Sequence, residues 1–248
     1  AYHREASRLE SLKNITERYD GYGNSIRRVM EQKKNEPGIK GVVADIIHVQ
    51  KDYEVAIETA LGGSIQNIVT DNEQTAKRMI GFLKKNRYGR ATFLPLSNIS
   101  GRGGLNQRDV LQEPGVIGTA NTLVKADDEY SELVMYLLGR VLVVDDIDHA
   151  IAIGKKYRHS LRMVTIEGES LSPGGSMTGG AFKNNSNLLG RRREIEELER
   201  SVGILKKELE ETQKAIGENR SKRNVLRDAI ADFQQKLRQQ YVEQNTAK

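Results

Sequence analysis

Four separated glycines are the residues of this chain with the clearest chemical meaning. Gly168, Gly175, Gly179 and Gly180 are spaced as G-x6-G-x3-G-G. Glycine-rich segments cradle phosphates with their backbone N–H groups. They also let a second backbone approach closely beside a strand edge, because no Cβ stands in the way, or they form solvated loops. The spacing alone leaves phosphate binding, backbone contact and a plain loop open.

Phosphate binding fits the detailed pattern poorly. A P-loop requires Lys followed by Ser or Thr after its glycines, whereas this chain has Gly180 followed by Ala181. The pair Gly21 and Gly23 lacks the third glycine of a dinucleotide fingerprint, and the glycines at 101–104 lie in a polar stretch. A nucleotide-binding enzyme that uses the loop from Gly174 to Gly180 therefore stays only as the alternative, and we expect no cofactor and no small-molecule substrate.

No set of side chains predicts catalysis or metal binding. The chain has no Cys, which excludes disulfides, thiolate metal sites and Cys nucleophiles. Its four histidines are not at ligand spacing, and the acidic group Asp145, Asp146 and Asp148 is more simply explained as the cap of a helix start. We therefore expect no catalytic residue and no metal site.

Positive charge is concentrated near the two ends of the chain. The net charge of +5 divides into +3 for residues 1–35, −1 for 36–190 and +3 for 191–248. Clustered Lys and Arg neutralise nucleic-acid phosphates, although such residues on helices are commonly just solvated. The candidate DNA-binding residues are Arg27, Arg28, Lys33, Lys34, Lys77, Arg78, Lys84, Lys85, Arg191, Arg192 and Arg193.

An independent nucleic-acid-binding module is a second alternative. The chain has 9 Tyr, 4 Phe and no Trp, and they form no strip interleaved with basic residues. Base stacking is therefore not expected, and any DNA binding should not depend on sequence.

The elements that must position these residues fall into two classes. From Arg191 to the end there is no Pro, and apolar residues recur in steps of three and four from Ile195 to Leu237, which predicts a long coiled-coil helix. A shorter stripe runs from Leu9 to Val29, with a break at residues 20–25. The two ends are therefore predicted to pair antiparallel.

The middle of the chain predicts an α/β (α+β-like) globule. Short Val/Ile-rich runs at 42–47, 65–69, 91–94, 141–144 and 163–166 are predicted strands, and helices are predicted at 53–61, 72–85, 130–138 and 147–157. The segments 100–104 and 112–128 are predicted loops. A weak internal repeat of this pattern of helices and strands predicts two similar lobes, at about 36–104 and 115–190. They lie between arms at 1–35 and 191–248.

Two further features concern the chain as a whole. It contains no run of about 18 apolar residues, so we expect no membrane partner. It begins at Ala1 without Met, and the apolar stripe of its C-terminal arm is longer than that of its N-terminal arm. We therefore expect a piece of a longer protein.

Four motifs in order give the chain a family likeness. They are Gly38–Asp45, Tyr53–Gly62, Gly89–Leu96 and Glu167–Gly180. Together with the flanking coiled coils, they resemble the hinge domain of the structural maintenance of chromosomes (SMC) proteins, and the lack of long insertions resembles the bacterial, homodimeric branch.

The resemblance implies a dimerisation hinge that joins two coiled-coil arms. In the family the glycines lie at the dimer interface, which here implies Gly168, Gly175, Gly179 and Gly180. The resemblance further implies that distant ATPase heads, outside this chain, drive chromosome organisation and segregation in the cytoplasm, with DNA held between the arms.

Overall fold

The computed structural model describes residues 1–101, 103–180 and 187–246. The helices are α1 (Tyr2–Glu17), α2 (Asn24–Glu31), α3 (Val43–Ile46), α4 (Glu54–Leu61), α5 (Glu73–Asn86), α6 (Ser131–Leu138), α7 (Ile147–Lys156) and α8 (Leu188–Thr246). The strands are β1 (Ile39–Val42), β2 (His48–Val49), β3 (Ile68–Thr70), β4 (Phe93–Pro95), β5 (Val116–Thr119), β6 (Val124–Lys125), β7 (Val141–Val144), β8 (Arg162–Thr165), β9 (Ser170–Leu171) and β10 (Met177–Thr178).

Two sheets form the frame of the globule. The first has the order β1-β3-β4, and the second has the order β10-β9-β8-β7-β5. Each contains one parallel pair, β3 with β4 and β7 with β8, and α5 and α7 are the crossover helices of these pairs. The short strands β2 and β6 form a separate ladder. This repetition confirms the α/β fold with two similar halves.

One apolar core joins the two sheets. Val42, Ile68 and Val69 of the first sheet belong to the same buried cluster as Val143 and Val164 of the second. The helices α4 and α6 contribute Ile57, Leu133 and Leu138 to this cluster. A second cluster packs α7 against the other face of the five-stranded sheet, with Leu142, Val144 and Met163 from the strands and Ile153 from the helix.

The crossover helices begin at side-chain caps. The Asn72 side-chain oxygen accepts hydrogen bonds from the N–H groups of Gln74 and Thr75 at 2.9 and 3.0 Å, which starts α5. Asp146 does the same for α7, where it accepts from the His149 N–H at 2.8 Å. The prediction that the acidic group at 145–148 caps a helix is therefore confirmed for Asp146.

The predicted break in the N-terminal arm is confirmed. Between α1 and α2, Tyr19 and Gly21 have φ of +52° and +96°, which a continuous helix excludes. Beyond the break the prediction of a coiled-coil seam is wrong. Val29 is fully buried in the globule, and Tyr19, Tyr22 and Ile26 pack against the same core.

The compact body of the protein extends further into the arms than the sequence indicates. It comprises Glu10–Glu197, whereas the arms had been predicted to end at residue 35 and to restart at 191. The first turn of α8 is part of this body, because Leu188 and Leu189 are buried.

The ends of the chain, Ala1–Leu9 and Leu198–Lys248, form a second unit. In it the Ser201 hydroxyl donates a hydrogen bond to Glu5, so α1 lies beside α8. Leu198, Val202, Leu205 and Leu209, all predicted seam residues, are half-buried. Eight large apolar side chains further along α8 are exposed, namely Ile216, Val225, Leu226, Ile230, Phe233, Leu237, Tyr241 and Val242.

Two predicted elements are wrong. The run 42–47 is not one strand, because the chain turns into α3 after Val42, and the Asp45 carboxylate accepts from the Val42 N–H at 3.3 Å to hold the turn. The segment 112–128 is not a loop, because it contains β5, which pairs antiparallel with β7 from Val116 to Thr119. The segment had been predicted as a loop because its composition, with Pro114, Gly115 and Gly118, is typical of loops.

Candidate functional site

The glycine-rich segment forms the end of the five-stranded sheet. After β8 the chain reverses in a turn where the Gly168 N–H donates to the Thr165 carbonyl at 3.1 Å, and the Thr165 N–H donates to the Glu169 carbonyl at 2.9 Å. Gly168 has φ of +97°, a conformation that strongly favours glycine. The turn therefore requires this glycine within a single chain.

A second turn joins β9 to β10 and uses two more glycines. Gly174 and Gly175 have φ of +91° and +94°. The Gly174 N–H donates to the His159 carbonyl at 2.8 Å, and the Ser172 N–H donates to the Ser176 carbonyl at 2.9 Å. Part of the glycine spacing is therefore explained by turn geometry.

The outermost strand of this sheet is β10. It pairs with β9 on one side, and no described strand pairs with its other side. Met177 and Thr178 are exposed, with 52% of Met177 accessible. Gly179 follows the strand, where a Cβ would lie 3.0 Å from the Glu169 side chain, and Gly180 has open space around it and φ of +127°. All four predicted interface glycines thus lie on or beside β9 and β10.

The three-stranded sheet also has an exposed edge. Its last strand, β4, pairs parallel with β3 on one side, and no described strand pairs with the other. Phe93 and Pro95 on β4 are half-buried. Within the described residues, β4 and β10 are thus edge strands, as are β1 and β5 at the other ends of the two sheets.

A group of basic side chains lies where α2 meets the end of α5. The Ser25 hydroxyl at the start of α2 donates to the Arg90 carbonyl at 2.7 Å, and the Arg28 guanidinium lies 5.1 Å from the centre of the Tyr88 ring. We call the exposed basic residues here the α2–α5 basic patch. It comprises Arg27, Arg28, Lys84, Lys85, Arg87 and Arg90.

Within this patch, only Arg28 has an ion-pair partner among the described residues, namely Glu31 at 3.1 Å. Lys34 and Lys77 are likewise exposed and without an ion pair in the described ranges. Their charges are balanced by solvent ions, which is the state in which phosphate binding releases counterions.

Other candidate DNA-binding residues are engaged within the chain. Arg78 makes two hydrogen bonds of 2.8 Å to the Glu36 carboxylate, and this pair lowers the pKa of Glu36. Lys33 donates to the Lys40 carbonyl at 2.8 Å. These two cations hold the loop before β1 in place.

The three arginines at the start of α8 are also engaged. Arg191 donates to the Asp20 carbonyl at 2.9 Å, and Arg192 donates to the Asp45 carbonyl. Arg193 pairs with the buried Glu54 and with Glu197 at 2.7 Å, and hydrogen bonding to Glu54 raises the pKa of Arg193. These arginines lie at the base of the arms, as predicted, but their guanidinium groups form contacts within the chain that stabilise the fold.

Residues that sequence reasoning missed fix the two arms to the globule. The Tyr19 hydroxyl donates to the Asp45 carboxylate at 2.7 Å, and burial, followed by Asp45, raises the pKa of Tyr19. The Glu58 carboxylate accepts from the Leu189 N–H at 3.1 Å, and burial raises the pKa of Glu58. Glu54 and Glu58 are four residues apart in an apolar helix, which is a signal that could have identified them.

One acidic cluster of the described residues has the ligand types of a cation site. Oxygen and nitrogen atoms of Asp145, Asp146 and His149 lie within 4.8 Å of one another. The Asp145 carboxylate already accepts from the Asp146 N–H at 2.7 Å and lies 2.8 Å from His149 Nδ1. This hydrogen bond raises the pKa of His149. The cluster is explained as the start of α7.

No described helix is long and apolar enough to span a lipid bilayer.

Comparisons with known proteins give consistent results. The family model for the flexible hinge domain of SMC proteins matches residues 36–154. The chain is 37% identical to the chromosome partition protein Smc of Lactiplantibacillus plantarum and 39% identical to that of Bacillus subtilis, over 94% and 85% of this chain. These matches cover 20% and 18% of the two relatives, so the chain spans about a fifth of their length.

Solved structures agree in fold. The crystal structure of an asymmetric dimer of the Geobacillus stearothermophilus SMC hinge domain matches with a TM-score of 0.80 and 36% identity, over 87% of this chain and 88% of that one. The Pyrococcus furiosus SMC hinge domain matches with a TM-score of 0.54 and 30% identity, over 74% of this chain and 91% of that one.

Proposed function

Because this chain belongs to the SMC hinge family, we propose that it is a dimerisation hinge, which joins two coiled-coil arms in a homodimer. The resemblance carried by the four motifs is confirmed by this membership. The Geobacillus stearothermophilus hinge is a dimer, which supports the proposal for this chain.

The observation that carries the proposal is the unpaired edge of β10. An exposed strand edge is a template for pairing with another chain, and proteins normally cover or charge such edges. Here the edge carries Met177 and Thr178, and it is followed by Gly179 and by Gly180, whose open Cβ position leaves room for a second backbone. The edge has the properties of an interface.

Two copies can cover their β4 and β10 edges at the same time. If β10 of one protomer pairs with β4 of its partner, the two-fold axis repeats the contact, and both copies of β4 and of β10 are covered in a closed dimer. Pairing β10 with β10 leaves both copies of β4 exposed. We therefore assign the interface to β10 with the partner's β4, with Gly168, Gly175, Gly179 and Gly180 around it.

The oligomeric state tests this proposal first. Light scattering at tens of micromolar should give twice the chain mass of 27.8 kDa. A mass of one chain under these conditions contradicts the hinge function.

Cysteine cross-linking tests the pairing, because the chain has no Cys of its own. The double variant Phe93→Cys/Thr178→Cys should form covalent dimers with a short bismaleimide cross-linker, and each single variant should not. The matched control is Phe93→Cys/Thr119→Cys, which places the second thiol on β5 at the opposite edge of the same sheet. Dimers from Thr178→Cys alone would instead assign the interface to β10 with β10.

The wider role rests on the relatives. Those described above are chromosome partition proteins, and we propose that the longer protein organises and segregates chromosomal DNA in the cytoplasm, at the nucleoid. We assign no catalysis to this chain, and we attribute ATP binding to head domains outside it. Absence of ATP hydrolysis by the purified chain is the corresponding expectation.

DNA binding without sequence preference is the second function that we propose. The α2–α5 basic patch supports it, because five of its six cations make no ion pair within the described residues. Lys and Arg without amide partners neutralise phosphates and read no base edges. Fluorescence anisotropy with duplexes of unrelated sequence tests this proposal.

A further inference from the structure

Helix α4 carries the contacts that attach α8 to the globule. The Leu189 N–H donates to the Glu58 carboxylate at 3.1 Å, and Asn187 Nδ2 lies 3.4 Å from the Glu54 carboxylate. Arg193 pairs with Glu54, whose side chain is only 7% exposed. A carboxylate at a helix N-terminus satisfies free N–H groups and complements the helix dipole. Glu54 and Glu58 are thus the anchor of α8.

The last turn of α4 contacts both ends of β8. An Arg162 guanidinium N–H donates to the Ala60 carbonyl at 2.8 Å, at the first residue of β8. The Thr59 hydroxyl lies 3.5 Å from the Gly168 carbonyl, in the turn that follows β8. The strand β8 carries β9, and β9 carries β10, so these contacts set the position of the proposed dimer edge.

The helix α4 is short, and all of its residues are buried or half-buried. Ala56 and Ile57 are completely buried, and Ala60 is 1% exposed. Along the helix axis Glu54 lies about 9 Å from Ala60, whereas Glu58 directly precedes Thr59. Close-packed elements transmit a shift instead of absorbing it, because they have no free volume in which to relax.

We propose that α4 couples the attachment of α8 to the geometry of the dimer edge. A change at the base of the arm alters the affinity between protomers, and dimerisation alters the stability of the arm's attachment by the same factor, as linkage requires. The effect on affinity rests on the proposed dimerisation, whereas the coupling between the attachment of α8 and the position of β8 within one chain does not depend on it.

The variant Glu58→Gln tests the coupling, because it keeps the shape of the side chain and removes its charge. Amide hydrogen exchange should rise at Leu188 and Leu189, which lose their charged acceptor. It should also rise at Gly168, whose carbonyl contacts Thr59, the residue that follows Glu58. The dissociation constant from sedimentation equilibrium should increase about fivefold, the lower end of typical coupling between sites.

The matched control is Asp148→Asn, which removes one negative charge from an exposed position on α7. It should leave the exchange at Gly168 and the dissociation constant unchanged. If Glu58→Gln frees Leu188 and Leu189 while Gly168 and the dissociation constant match this control, the coupling is disproved.

A second variant tests the same coupling by a change in β8. Arg162→Lys removes the guanidinium hydrogen bond to Ala60 and keeps the charge, and it should raise exchange at Leu189. This variant decides the question if circular dichroism shows Glu58→Gln to be unfolded. If the wild-type chain is a monomer at every concentration, the hinge function fails, and exchange at Gly168 in Glu58→Gln still decides the coupling.

Discussion

Arg193 forms an ion pair with Glu54, and this pair connects the second turn of α8 to the first turn of α4. The Glu54 side chain is 7% exposed, and that of Arg193 is 24% exposed. The arginine therefore neutralises a carboxylate that is almost entirely shielded from water. Its position at the base of the arm, which had suggested DNA binding, follows from this structural role.

The first prediction concerns the stability of this pair. Arg193→Gln should lower the free energy of unfolding by roughly 3 kcal/mol, because it leaves a buried carboxylate without its partner. Urea denaturation followed by circular dichroism measures the change.

The control for this pair is Arg200→Gln, an exposed position on the same helix, which should change stability by less than about 0.5 kcal/mol. Equal stability of the two variants would show that Glu54 does not depend on Arg193.

The second prediction contrasts two glycines. Gly81 lies inside α5 with open space around its Cβ position, so Gly81→Ala should stabilise the protein by about 0.5–1 kcal/mol. Gly168→Ala should destabilise it by about 1 kcal/mol or more, because φ of +97° strains any residue with a Cβ. Thermal unfolding of the two variants should shift the midpoint in opposite directions, and a shift in the same direction would contradict the turn geometry.

The glycines also show how far the sequence can be interpreted. The family resemblance implied an interface at these glycines, but it did not indicate the turns that Gly168, Gly174 and Gly175 form within one chain. Replacing several of them together would distort the hairpin before it tested dimerisation. Spacing records which positions need glycine, but not whether the reason is a turn or a neighbouring chain.

The helices α4 to α7 were predicted within one or two residues, because amphipathic periodicity is a local signal. The packing of Tyr22 and Val29 against the core of the globule was not predicted. Their heptad spacing suits a coiled coil and a packed surface helix equally well, and only the tertiary fold decides between them. The positions of charged residues in the sequence likewise do not show which of them form ion pairs. Arg78 and Lys84 differ in role only because Glu36 lies within reach of Arg78.

The third prediction concerns His149. Its hydrogen bond to Asp145 raises the pKa of the imidazole above the ordinary value of about 6.5. A raised pKa in the folded state means that the protonated ring favours folding. This contribution is complete below the unfolded pKa and is lost as pH rises through the folded pKa.

A titration of His149 by NMR measures this shift. Asp145→Asn should return the pKa toward the ordinary value, whereas Asp148→Asn should have a smaller effect. A pKa in the wild-type chain at or below 6.5 would contradict the hydrogen bond.

The last prediction concerns DNA. Lys84→Glu/Lys85→Glu alters two exposed cations of the α2–α5 basic patch that have no ion pair within the described residues. With about four phosphates neutralised by the wild-type chain, the logarithm of affinity should fall against the logarithm of salt concentration with a slope of roughly −3 to −4. The variant should bind more weakly to every duplex sequence, and the slope should flatten by about 2, because two phosphate contacts are lost.

The matched control is Lys206→Glu/Lys207→Glu, which makes the same charge change at exposed positions on α8 outside the patch. This control should keep most of the affinity at moderate salt, because Lys206 and Lys207 are not part of the α2–α5 basic patch. Both variants should keep the mass of the wild-type protein in light scattering. Arg191, Arg192 and Arg193 are unsuitable for this test, because their replacement breaks contacts with Asp20, Asp45 and Glu54 and confounds binding with folding. If Lys84→Glu/Lys85→Glu binds as tightly as the control at low salt, these two lysines are only a solvated helix surface, and the assignment of DNA binding to the patch is wrong.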